Sequence, residues 1–181
     1  MTTMTYKRAL SMFACTLAMV LIVVPVFAQG GRGKAELKAG SGSITVDYGR
    51  PPLSGPTLQG KDPLAFQKEG SFWRMGKDTS TTFTTPVDLT FGDTKIAKGS
   101  YSIWLLKESA DAYKLVFNSQ TGQWGTQHDK SKDVAQAAMK KATAPSSVDL
   151  FTIDLKEAAK GGTFILTWGT AQLTADFQFS K

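Results

Sequence analysis

The chain has 181 residues, a formal net charge of +6, one cysteine and one histidine. A single histidine excludes a multi-histidine zinc or iron centre. Its 21 Lys and Arg are spread thinly among 15 Asp and Glu, with no basic stripe, which argues against a nucleic-acid partner.

Residues 1–28 read as a secretory signal peptide: Lys7 and Arg8 precede an apolar stretch over 9–26, and Val26-Phe27-Ala28 offers small residues at the two recognition positions. Cleavage after Ala28 leaves 153 residues with a charge of +4, once Lys7 and Arg8 are gone. It also removes Cys15, so the exported chain, periplasmic or secreted, has no disulfide to form. The competing reading is an uncleaved anchor, since 9–26 is just long enough to cross a bilayer despite Ser11, Thr16 and Pro25, and membrane contact is then confined to that segment. Cys15 follows Met12-Phe13-Ala14 rather than the small-residue box of a lipoprotein. A chain this long buries roughly two thirds of its unfolded surface, enough for one core without staples. The Gly-rich stretch 29–40, with Arg32, Lys34 and Lys38, reads as a flexible basic tail, and 41–181 as a single β domain.

Ile44, Val46 and Tyr48 alternate with polar neighbours, the period of a strand with one face buried. The connection 49–77 is long and carries Pro51, Pro52, Pro56 and Pro63, with room for one helical turn over 63–68. Structureless connections of this length are often binding loops. Phe83, Val87, Leu89 and Phe91 resume the alternation, with Pro86 forcing an edge, bulge or break, and Gly92-Asp93 turns the chain. Residues 101–106 are apolar on both faces, as in a central strand covered on both sides. Further strands are expected over 113–118, 148–155 and 163–168, and Ala171, Leu173, Ala175, Phe177 and Phe179 form the cleanest alternation. Over 133–142, Val134, Ala137, Ala138 and Ala142 have helical spacing and composition. Strands so closely spaced leave no room for crossover helices, so the fold class is all-β: a mainly antiparallel β-sandwich or a closed, barrel-like sheet stack.

Four islands then stand out: Asp47-Tyr48-Gly49-Arg50-Pro51, Trp73-Arg74-Met75-Gly76-Lys77-Asp78, Lys98-Gly99-Ser100-Tyr101-Ser102, and Asn118 through Gln123-Trp124-Gly125. Together they resemble the bacterial exported family known as domain of unknown function 2911, from about Ala39 to the C-terminus. The resemblance implies export, a small β-rich domain and no established activity. It also implies a strand over 133–142, against the helical reading. The chain departs from the family pattern at Gly49, where serine is common, at Lys77-Asp78, where Ala-Asn is common, and at Gln127-His128, where a tyrosine is often seen.

No Gly-x-Ser-x-Gly elbow, phosphate loop or calcium loop is present, and nothing in the sequence calls for a metal or cofactor. The suggestive groups are Tyr48, Arg50, Trp73, Arg74 and Asp78, followed by Trp124 and His128, since aromatic faces and guanidinium forks suit sugars, carboxylates or phosphates. The plainer reading has Trp73 plugging the end of the sheets, Arg74 pairing with Asp47 or Asp78, Arg50-Pro51 setting the loop path, and Trp124 capping the core. His128 and Asp129 are expected exposed at the rim. The sequence leans away from an enzyme and toward a noncatalytic exported domain that binds a small molecule or envelope component. The alternatives are a carboxylate acid–base hydrolase, with two of Asp47, Asp78, Asp129 and Glu108 facing each other, and a structural or partner-binding envelope domain.

Overall fold

A computed structural model of the chain describes residues 31–53 and 62–180. The leader expected over 1–28 and residues 54–61 of the proline-rich connection lie outside the described residues. The strands are β1 (Arg32–Ala39), β2 (Gly42–Gly49), β3 (Phe72–Trp73), β4 (Thr81–Thr85), β5 (Leu89–Phe91), β6 (Thr94–Ile96), β7 (Gly99–Lys107), β8 (Tyr113–Asn118), β9 (Asp133–Ala158) and β10 (Gly161–Phe179). Two 3-10 turns, Pro63–Phe66 and Lys130–Lys132, complete the list of elements. Every ladder is antiparallel, in the order β1-β2-β4-β7-β8-β9-β10-β5-β6, with β3 attached to β7. The sheet is sandwich-like and does not close.

Its layers arise from the two long strands. At about 3.3 Å per residue, 26 residues of β9 would reach roughly 85 Å if straight, far more than so small a protein spans, so the strand must bend. It does so where the register with β10 shifts on both sides of Gly169, opposite the skipped stretch around Pro145. β9 pairs with β8 over residues 133–139 and with β10 from residue 140 onward, on both sides of the shift. The far half of β9 also receives the chain leaving β2: Leu53 N–H donates to the Asp149 carbonyl (2.7 Å) and Phe151 N–H to the Pro51 carbonyl (3.0 Å). The interior fills from alternate positions, with Val46, Phe83, Ile103, Leu115, Phe117, Phe151 and Phe164 all fully enclosed.

Three expectations change. Residues 133–142 are strand: Ala137 and Met139 face the core while Ala138 and Lys140 point out, so burial on a sheet overrides helical propensity. The stretch read as a flexible tail is mostly strand β1, paired along its whole length with β2. Gly33 is there because Tyr48 crosses it; a Cβ at Gly33 would sit 2.6 Å from Tyr48 Cζ. The connection 49–77 is not structureless either. Asp62 caps the turn Pro63–Phe66 by accepting from Leu64 N–H (2.8 Å), Leu64 is buried, and β3 follows.

The outer face of β7 carries Ser102 and Trp104, both buried. As expected, the strand is covered on both sides, but the outer cover is the irregular segment 119–132 rather than a second sheet.

Candidate functional site

The four islands meet in space. The main chain of Gly76 and Lys77 passes so close to Gly49 that a Cβ there would lie 2.8 Å from Lys77 N. Gly125 N–H donates to the Asp78 carbonyl (3.0 Å), and Thr79 forms a bridge with Trp124. Inside, Gln123 Nε2 donates to Ser102 Oγ (2.9 Å), Ser80 Oγ donates to Gln123 Oε1 (3.3 Å), and Trp104 Nε1 donates to Ser102 Oγ (3.0 Å). This network lies beneath the loop, with its polar atoms satisfied. The loop carries left-handed backbone at Met75 (φ 48°) and Asp78 (φ 63°), held by Thr81 Oγ1, which donates to the Met75 carbonyl (2.6 Å).

A family described as "Protein of unknown function (DUF2911)" matches residues 31–177. The chain belongs to that family. Among curated proteins and solved structures nothing matches it. In this DUF2911 member the motif residues therefore act first as a scaffold, and each candidate takes a definite place. Tyr48 is 3% exposed and its hydroxyl donates to the Ile153 carbonyl (3.1 Å), with burial raising its pKa above the usual phenol value. Arg50 turns toward β9, where Nε donates to the Phe151 carbonyl and Nη2 to Thr152 Oγ1, both at 3.3 Å.

Arg74 pairs with neither carboxylate expected of it. Asp47 is held by Arg32, and Asp78 lies 3.9 Å from Lys77. Arg74 instead donates through Nε to the Gly76 carbonyl (3.3 Å), and its stem lies across Gly125. Trp124 does not cap the core, being 51% exposed. Trp73 packs on the other side from Arg74, stacked on Trp168 (5.5 Å, 16°) and edge-on to Phe151 (5.0 Å). Trp73 and Arg74 thus do not share one cleft, because successive residues leave an extended chain on opposite sides.

His128 is the clearest correction. It is not at the rim: its side chain is 8% exposed and lies between the Phe72 ring (4.4 Å) and the Trp104 ring (4.5 Å). Nε2 meets Asp133 Oδ1 at 2.8 Å, and Asn118 Nδ2 donates to the same oxygen at 2.8 Å. A carboxylate only accepts, so Nε2 carries the hydrogen. Lys130 Nζ lies over the Phe72 ring at 4.8 Å, extending the stack. Asp129 is exposed as expected, and hydrogen bonds from the Ser131 side chain and then its backbone N–H hold its carboxyl below the usual aspartate range. Replacing Asp133 with Ala strands two buried donors, and a thermal or urea melt should show a loss of about 1–3 kcal/mol.

A groove opens on the opposite side of β3. It has a volume of about 410 Å³ and is walled by Phe66, Phe72, Trp73 and Trp168, with Gln67, Lys68 and Ser71 supplying polar groups. Phe66 projects from the 3-10 turn, 64% exposed. Of these residues the sequence reading singled out Trp73 alone. Trp168 looked like a core residue because it lies within a strand, and Phe66 and Gln67 carried no signal beyond the suspicion attached to their loop.

Proposed function

We propose that this chain is an exported, noncatalytic binding domain that holds a small molecule or envelope component in the aromatic groove. The observation that carries this reading is the groove itself: Phe66, Phe72, Trp73 and Trp168 border one concavity of about 410 Å³, the size and character of small-ligand sites. Phe66, 64% exposed, adds apolar surface to the mouth of the groove. The carboxylates that an acid–base hydrolase would need are engaged separately: Asp47 with Arg32, Asp78 with Lys77, Glu108 with Lys114, and Asp129 with its own turn. Export rests on the basic start, apolar run and Val26-Phe27-Ala28 ending of residues 1–28.

The test expresses the full chain with its own leader and purifies it from the exported fraction. Tryptophan fluorescence is then titrated with a panel of envelope sugars, acidic metabolites and indole. The expected result is a processed chain whose fluorescence responds to a member of the panel, with the response lost in Phe66→Ala at unchanged melting temperature. An unprocessed cytosolic chain removes the export claim, and a flat response across the panel removes the binding claim.

A further inference from the structure

We infer that the groove takes a neutral sugar ring, recognised by one unpaired donor and one unpaired acceptor in its wall; this rests on the binding-domain reading above. The acceptor is Gln67 Oε1. Gln67 Nε2 donates to two main-chain carbonyls, Ser71 O (2.9 Å) and Leu105 O (3.0 Å), so the amide cannot turn over. Its oxygen is left buried with no partner among the described residues. The donor is Trp168 Nε1, equally buried and equally without a partner. Both residues line the same groove.

Leaving such groups unmet costs free energy, and a native fold seldom tolerates it without a reason. The pair also discriminates by chemistry. A carboxylate would satisfy Trp168 Nε1 but would set a second acceptor against Gln67 Oε1, whereas an ammonium would do the reverse. A hydroxyl or an acetamido group both donates and accepts, and so answers the two together. The aromatic walls supply flat apolar faces for the C–H side of a ring. Neither polar atom touches solvent, so a ring in the groove reaches them only when the side chains that cover them shift aside.

The experiment uses the exported full-length protein and Trp168→Phe, which keeps a ring and deletes the N–H. Probes are N-acetylglucosamine and glucose with their β-linked oligomers, galacturonate as the charged control, and indole as the apolar control. The inference expects neutral sugars to bind, galacturonate to bind at least tenfold more weakly than glucose, and Trp168→Phe to lose about tenfold in sugar affinity, one hydrogen bond's worth. Indole affinity should hold, and the free variant should melt no lower than Trp73→Phe, which loses the same ring atoms from the other side of the stack. Indole binding without sugar binding overturns the sugar assignment while leaving the groove a binding site. Silence toward every probe overturns both. A free variant that melts well below Trp73→Phe shows that Nε1 is already paired inside the fold and ends the inference.

Discussion

Replacing Phe151 with Ala should cost about 3–5 kcal/mol, the range for emptying a large aromatic site in a core. Phe151 is fully buried where the far half of β9 faces β2 and β3, and three rings meet it: Tyr48 at 5.7 Å, Trp73 at 5.0 Å and Trp168 at 6.0 Å, all near edge-on, with Trp73 and Trp168 also stacked on each other. No neighbouring main chain can close the space, because residues 51–53 are already hydrogen-bonded to residues 149–151 on that strand. A domain of this size has about 5–15 kcal/mol in total, so the variant should melt many degrees lower and unfold at much lower urea concentration. The groove should fail with it, since Phe151 is the floor under both tryptophans. A melt that matches the parent protein would mean that the two layers are not joined through this ring.

Gly125→Ala should be a damaging single-methyl change in the family motifs, at about 3 kcal/mol, the upper end of overpacking costs. The added Cβ would overlap Arg74 Cδ and come within 2.7 Å of the Asp78 carbonyl oxygen. The arginine stem can swing away. The carbonyl cannot move freely, since it accepts from Gly125 N–H and belongs to a residue with left-handed backbone. A double variant, Gly125→Ala with Arg74→Ala, should therefore recover only part of the loss in a urea melt. Full recovery would make the side chain, rather than the crossing of main chains, the whole obstacle. Arg74→Ala alone should be mild, because this guanidinium has no ion pair among the described residues.

The pairing of Gly125 with Arg74 shows why the motifs were visible in the sequence while their purpose was not. Trp73-Arg74 and Gln123-Trp124-Gly125 stand apart in the chain, and their types suggested a ligand. Their spacing could not reveal that one exists to let the other pass. His128 is similar: a lone imidazole beside an aspartate in a polar stretch reads as exposed, and only the pairing of β3 with β7 brings Phe72 and Trp104 together against it.

Alternation at period two determined most of the sheet by sequence alone, because a half-buried strand must place apolar groups on every second residue. It located β2, β4, β5 and the far half of β10, while apolar and β-branched runs located β7 and β8, and the short spacing between strands gave the antiparallel arrangement. It could not distinguish helix from strand in the alanine-rich start of β9, nor recognise β1, where glycine and lysine carry little periodic signal. Tertiary structure alone decided those two, along with the bend that folds β9 and β10 into two layers. It also decided the groove, whose walls come from a 3-10 turn, a two-residue strand and the middle of β10. Sites assembled from distant segments depend on how the sheet folds over, and that path is set by packing between layers rather than by any local run of residues.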